Sequence, residues 1–143
     1  MIDAKQYLKE IKAKRQYVER LKKRRQELHL DVSFGAIDYS ADKIQTSPEN
    51  KLENALVKLS DRIESIDTNI VRITMEIDDR LNTIESLQDN NYRSVLFKRY
   101  SEYKSFEEIS LELGYVYNYT CTLHGEALRE ISKLLNFSED LKK

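Results

Sequence analysis

The chain of 143 residues has no Trp, one Cys, one Pro and three Gly, and its formal net charge is −1. Each scarcity removes something. The single thiol, Cys121, excludes an intrachain disulfide and suits a reducing compartment. So few breakers among 34% charged residues favour long helices. A net charge near zero gives no global field to attract nucleic acid. No apolar run approaches the length of a transmembrane helix, and the opening MIDAKQYLKEIKAKR lacks the apolar centre of a signal peptide. A cytoplasmic protein without membrane contact is expected. Nucleophile elbow, P-loop, dinucleotide fingerprint and His/Glu metal motif are all missing, so neither an enzyme nor a cofactor is expected. Cys121 and His124 stand three apart, a spacing that metal sites use, but no further ligand accompanies them and no metal is expected.

What is present is unevenly charged. Residues 1–30 hold ten Lys/Arg against four Asp/Glu, residues 31–90 six against thirteen, and residues 91–143 eight against eight. A basic first third beside an acidic middle suggests that the two pack together, or that the first meets phosphate. Residues 3–30 read as a helix whose stripe is Ala4, Tyr7, Leu8, Ile11, Val18, Leu21 and Leu28, interrupted by Lys14 and Arg25. Lys22, Lys23, Arg24 and Arg25 on it are either a solvated face or phosphate contacts. Residues 31–47 break the period around Gly35, with Phe34, Ile37 and Tyr39 able to pin the loop to a helix.

Ser47 and Pro48 then signal a helix start. The register that follows is Leu52, Leu56, Leu59, Ile63, Ile66, Ile70, Ile73, Ile77, Arg80, Ile84 and Leu87, with spacings alternating between four and three. Ten of these eleven positions are apolar, a sustained heptad repeat. A helix over 48–89 would be about 60 Å long, and so narrow a stripe needs a partner. That partner is either the first helix folded back antiparallel or a second subunit. Leu56, Leu59, Ile63, Ile66, Ile70, Ile73, Ile77 and Ile84 are the expected oligomerisation residues of a homodimer. Arg80 interrupts the seam.

The segment 92–131 carries the rest. Asn90 and Asn91 suit a turn. Residues 92–100 form a short helix with Val95, Leu96 and Tyr100 inward. Ser105 and Glu108 form a capping box ahead of Phe106, Ile109 and Leu113, with Ser110 small enough for a close crossing. Gly114 supplies the tight turn. A last helix runs to about Leu135 on an inner stripe of Thr120, Leu123, Ala127, Ile131 and Leu134, and residues 137–143 fray. Three short helices with such breaks make the pattern of a helix-turn-helix, which can seat one helix in a major groove. Tyr100, Tyr103, Tyr115, Tyr117 and Tyr119 complete its thin core.

LFKRYSEYKSFEEISLELGY is similar to sigma-factor region 4. The chain resembles more closely the phage late-transcription activators of the RinA/ArpU type. The residues carrying that resemblance are Arg99, Tyr100, Lys104, Ser105, Phe106, Glu107, Glu108, Ile109, Leu113, Gly114, Tyr115, Tyr117, Leu123, His124, Gly125, Ala127 and Leu128, and DKIQTSP at 42–48 looks like a loop of the same group. The resemblance implies a transcription regulator that binds promoter double-stranded DNA and touches host RNA polymerase. The family tends to have Ser at Val116, Arg at Asn118, Val at Thr120, Arg at Thr122 and a basic residue at Glu126. The recognition helix here is therefore unusually uncharged, with His124, Arg129 and Lys133 its only sources of positive charge.

The expected fold is all-α: an antiparallel helical hairpin or coiled coil over 1–90, a helix-turn-helix over 91–136, and a tail. Expected DNA contacts are Arg93, Lys98, Arg99 and Lys104 to the backbone, with Asn118, Tyr119, Thr122, His124 and Arg129 on the last helix. In the competing expectation, the same helices bind protein, with Tyr117, Tyr119 and Leu123 at the interface.

Overall fold

The long helices demanded by the heptad pattern are present. A computed structural model describes residues 2–33 and 48–142, and its regular structure is all helical, with no strand among the described residues. The helices are α1 (Ala4–Ser33), α2 (Pro48–Glu85), α3 (Asn90–Leu96), α4 (Phe106–Leu113) and α5 (Tyr117–Leu141), with a π-helical turn at Phe97–Ser101 between α3 and α4. Phe34, Ile37, Tyr39 and Ser47 lie outside the described residues. The chain divides into two compact units, Met1–Arg15 with Met75–Lys143, and Gln16–Thr74.

In the first unit, the start of α1 runs antiparallel to the end of α2. Tyr7 shares a hydrogen bond with Thr83 (3.3 Å) and Lys14 pairs with Glu76 at 2.7 Å. Ala4, Leu8 and Ile11 are buried there, as are Ile77, Ile84 and Leu87. Arg80 occupies its heptad position without leaving a charge unsatisfied. It donates to the Tyr7 carbonyl (3.0 Å), the Glu76 carbonyl (3.1 Å) and the Glu10 carboxylate (2.5 Å), and lies over the Tyr7 ring. A partly buried charge is tolerable only with such partners.

In the second unit, Val18, Leu21 and Leu28 of α1 and Ile66 and Ile73 of α2 are buried. Arg25 grips Asp67 through two nitrogens, at 2.5 and 3.3 Å. Of the four cations expected as phosphate contacts, Arg25 is thus an intramolecular partner, and Lys22 lies 3.5 Å from Glu19. Lys14 and Arg25, the two breaks in the α1 stripe, each answer an acid on α2.

Several boundaries differ from expectation. α2 ends at Glu85 rather than 89 because Asp89 caps α3, accepting from the N–H groups of Asn91 and Tyr92. Asn90 and Asn91 therefore open a helix instead of forming a turn. Arg93 donates to the carbonyls of Leu87 (2.6 Å) and Gln88 (3.5 Å), satisfying acceptors in the turn between α2 and α3. The expected helix over 92–100 changes to a π turn after Leu96, with the Glu102 N–H reaching back to the Phe97 carbonyl. α5 continues to Leu141, so residues 137–141 are helical rather than frayed, and its buried stripe ends on Leu135, leaving Leu134 exposed.

Candidate nucleic-acid interface

The end of the chain is built on a small core of Val95, Ile109 and Leu123, with Tyr92, Phe106, Leu113 and Tyr115 packed around it. α4 starts where Ser105 accepts from the Glu108 N–H at 3.2 Å, and Ser105 and Glu108 also bond through their side chains. It stops at Gly114, whose φ of 74° is the left-handed conformation that ends a helix sharply. The N–H groups of Gly114 and Tyr115 both return to the Ser110 carbonyl. Ser110 itself is buried and donates to the Thr120 hydroxyl at 3.0 Å, joining α4 to α5 where they cross. Each hydroxyl also lies within hydrogen-bond distance of the carbonyl one turn back, Ser110 of Phe106 at 2.7 Å and Thr120 of Val116 at 3.2 Å, so the crossing buries both without leaving a polar group unpaired.

That crossing fixes which side of α5 is hidden. Thr120, Leu123, Ala127 and Ile131 face the core. Asn118, Tyr119 and Thr122 are exposed, Tyr119 with its ring edge-on to Tyr115 at 5.0 Å. The Thr122 hydroxyl donates to the Asn118 carbonyl (3.0 Å) and keeps its acceptor lone pairs. Val116, the N-cap of α5, makes no side-chain cap bond. Three of the departures from the resembled pattern thus have side-chain hydrogen bonds within the chain: Thr122 to the Asn118 carbonyl, Thr120 in the Ser110 bond, and Glu126, which accepts from the Tyr92 hydroxyl at 3.1 Å. That carboxylate holds the Tyr92 phenol above its ordinary pKa.

His124 differs from expectation. Its Nε2 and the Tyr100 hydroxyl lie 2.8 Å apart, and its ring meets Phe106 edge-on at 4.9 Å. Burial, with the nearby charges of Arg99 and Lys5, lowers the imidazole to about 4. Burial likewise pushes the Tyr100 phenol up to about 12. At neutral pH His124 is uncharged and adds no attraction for phosphate. The same bond argues against a Cys121–His124 metal pair, and no group of three metal-ligating side chains occurs among the described residues. Cys121 is half-buried, and its proximity raises the Tyr117 phenol above its ordinary pKa.

The expected backbone contacts are mostly engaged within the chain. Lys98 and Lys104 both pair with Glu112, at 2.8 and 2.5 Å, and Lys104 also with Glu102 at 2.7 Å. These bonds raise Lys104 to about 12 and lower Glu112. Arg93 bonds the carbonyls of Leu87 and Gln88. Arg99 donates to the Lys104 carbonyl (3.0 Å) and stacks over Phe106 at 4.4 Å. Lys133 pairs with Glu130 across one turn, and Arg129 is exposed. The surface cations that sequence reading passed over are Lys9 and Lys12. With Arg99, Tyr100 and Tyr103 they line a concavity of about 380 Å³. Their spacing of three on α1 was a readable signal, hidden by the denser run at 22–25.

Four of the expected seam residues are closed off inside the units. Ile77 and Ile84 are buried in the first unit and Ile66 and Ile73 in the second, so none has surface left for a second subunit. Leu59, Ile63 and Ile70 are half-buried, and Leu56 is exposed. No helix among the described residues is long and apolar enough to cross a membrane. Compared with protein-family models, curated proteins and solved structures, the chain matches none.

Proposed function

We propose that the protein is a phage-type transcription regulator whose α5 reads promoter DNA in the major groove. One observation carries the reading: Asn118, Tyr119 and Thr122 project from the first two turns of α5 while Thr120 and Leu123 anchor it. That is the geometry by which a recognition helix offers its N-terminal residues to base edges. Asn118 suits the N6/N7 edge of adenine, and the hydroxyl of Thr122 suits either base. The resemblance of residues 92–131 to late-transcription activators adds weight. The uncapped start of α5 offers free N–H groups to a phosphate. We further propose a homodimer, which would present two such helices to two half-sites.

A second reading has its own observation. Leu111 is 85% exposed and Val116 73% exposed, beside Tyr117 and Tyr119, while α4 carries Glu107, Glu108 and Glu112. An apolar and acidic face of this kind suits a protein such as RNA polymerase better than a phosphate backbone.

Selection of bound duplexes from a random pool, followed by mobility shifts, separates the two. Under the DNA reading, Asn118→Ala weakens the selected site about 10-fold to 100-fold, the loss expected for one bidentate base contact. Retention of that affinity in Asn118→Ala/Thr122→Ala, or recovery of no sequence at low salt by intact protein, favours the protein-binding reading.

A further inference from the structure

We propose that the concavity formed by Lys9, Lys12, Arg99, Tyr100 and Tyr103 is a nucleotide-phosphate site, with the cations holding the phosphate and the Tyr103 ring lying against the attached sugar or base. The shared chemistry is a nucleotide phosphate, whether free or within a DNA strand.

The charge balance of the concavity is the first support. Lys9 and Lys12 are exposed, and neither forms an ion pair among the described residues. Lys98 and Lys104, by contrast, are neutralised by Glu112 and Glu102. The nearby carboxylates are mostly committed elsewhere: Glu10 to Arg80 and Glu102 to Lys104. Asp3, whose charge reaches Tyr100, bonds the Lys5 N–H at the start of α1. Lys5 adds a further positive charge, felt at His124 behind Tyr100. A concave, mostly cationic surface focuses field lines and draws anions.

The backbone is the second support. Tyr103 has a φ of 61°, the single positive value outside glycine among the described residues. For a tyrosine that conformation costs on the order of 1 kcal/mol, and it comes one residue after the π turn, past Glu102. The surroundings enforce it. The Lys104 N–H donates to the Lys98 carbonyl at 3.0 Å. Arg15 donates to the Ser101 carbonyl (2.7 Å), the Ser101 hydroxyl (3.0 Å) and the Tyr103 hydroxyl (3.2 Å). The Lys12 ammonium stands 5.3 Å from the centre of the Tyr103 ring. A π turn and a strained residue together recur where a side chain is aimed at a ligand. Here they hold an aromatic ring, with Lys12 and Arg15 standing 5.3 and 6.0 Å from its centre, beside lysines that have no carboxylate partner among the described residues, a combination that binds a nucleotide by aromatic contact and by charge.

The test uses the full chain, with inorganic pyrophosphate, AMP and the pool-selected duplex as probes. The amide shifts of Lys12, Ser101 and Tyr103 are followed by NMR, and duplex affinity is followed against salt. Saturable shifts with pyrophosphate or AMP that vanish in Lys9→Gln/Lys12→Gln support the site with a free nucleotide as source. Without such shifts, a fall of about 1–2 in the log–log salt slope of duplex binding in that variant supports the site with strand phosphate as source. Absence of both effects overturns the proposal. Equal losses in Lys22→Gln/Lys23→Gln, exposed lysines elsewhere on α1, also overturn it. Failure of the duplex to bind while AMP still shifts Tyr103 sinks promoter reading and spares the site. An unchanged slope in a duplex-binding protein with silent amides does the reverse.

Discussion

The two units of the chain bury apolar side chains to different depths. All the largest fully buried side chains, Leu8, Ile11, Ile84, Val95, Leu96, Ile109, Thr120 and Ile131, belong to Met1–Arg15 with Met75–Lys143. In Gln16–Thr74 the best-covered apolar residue is Ile73, at 4% exposure, and Leu30, Leu52, Leu56, Val57 and Val71 are exposed. Both units use the same α1 and α2, so composition and helix propensity do not separate them. The difference is the number of covering helices. Two helices hide only the stripe each turns to the other, whereas α3, α4 and α5 surround a side chain. A heptad repeat therefore supplies direction and register, and enclosure comes from additional helices.

Truncations at matched positions break this comparison if it is wrong. Ile131→Ala removes a side chain with 0% exposure and should cost about 3–4 kcal/mol. Ile66→Ala, in the two-helix unit at 8% exposure, should cost about 1–2 kcal/mol, since neighbours at an open seam relax into the space. Urea unfolding followed by circular dichroism measures both. Equal losses would mean that enclosure contributes nothing beyond the stripe.

Acid sharpens the comparison, because His124 titrates within the enclosed unit. Its folded pKa of about 4 lies below the ordinary imidazole value of 6.5. As pH falls, the unfolded chain takes the proton first, so stability declines from about pH 6.5 and the loss is complete below about pH 4. With allowance for solvent at the half-exposed ring, the loss is about 1–2 kcal/mol. Thermal melts of wild type and His124→Gln at pH 7 and pH 4 should show that much extra loss in the wild type. Parallel curves would place the imidazole in water. A smaller effect, about 1 kcal/mol, is expected for Gly114→Ala. A Cβ there meets nothing within 4 Å, so the cost is conformational alone.

Much of this was legible in the residues. Ser105 with Glu108 announced the start of α4, Gly114 its end, and the four-three spacing the length of α2. These signals are local, each residue acting on backbone within one turn. What escaped the sequence depends on partners far along the chain. Leu134 and Leu135 are equivalent by periodicity. The buried set advances by fours through Leu123, Ala127, Ile131 and Leu135, as ridges do when helices cross at an angle, and only the crossing chooses between them. Arg80 read as a defect in the seam and is anchored by Tyr7 and Glu10, more than 69 residues earlier. The left-handed Tyr103 had no signal, since tyrosine does not favour that conformation and Arg15 helps to hold it. The exposure of Asn118 and Thr122 followed correctly from Thr120 and Leu123 being inward. The neutrality of His124 did not, because it arises from Tyr100, Phe106 and Arg99 around the ring.

The smallest effect concerns the start of α2, where the heptad stripe is least covered. Leu52 and Leu56 are each 39% exposed and lie with Val57 on one apolar surface. Within a single chain, Leu56→Gln removes little buried area and should cost about 0.5 kcal/mol or less, a shift of about 1–2 °C in Tm. The proposed homodimer changes what else is expected. Of the expected oligomerisation residues, Leu56 is the most exposed, with Leu59, Ile63 and Ile70 half-buried, so a second copy docking on the seam gains most area there. Sedimentation should then give twice 16.9 kDa for the wild type and 16.9 kDa for Leu52→Gln/Leu56→Gln, with helicity unchanged. A wild type already at 16.9 kDa at high micromolar concentration would remove the dimer and leave α5 a single reading helix. A dimer indifferent to both substitutions would move the interface away from the start of the heptad seam, to other exposed apolar residues such as Phe137 and Leu141 at the end of α5.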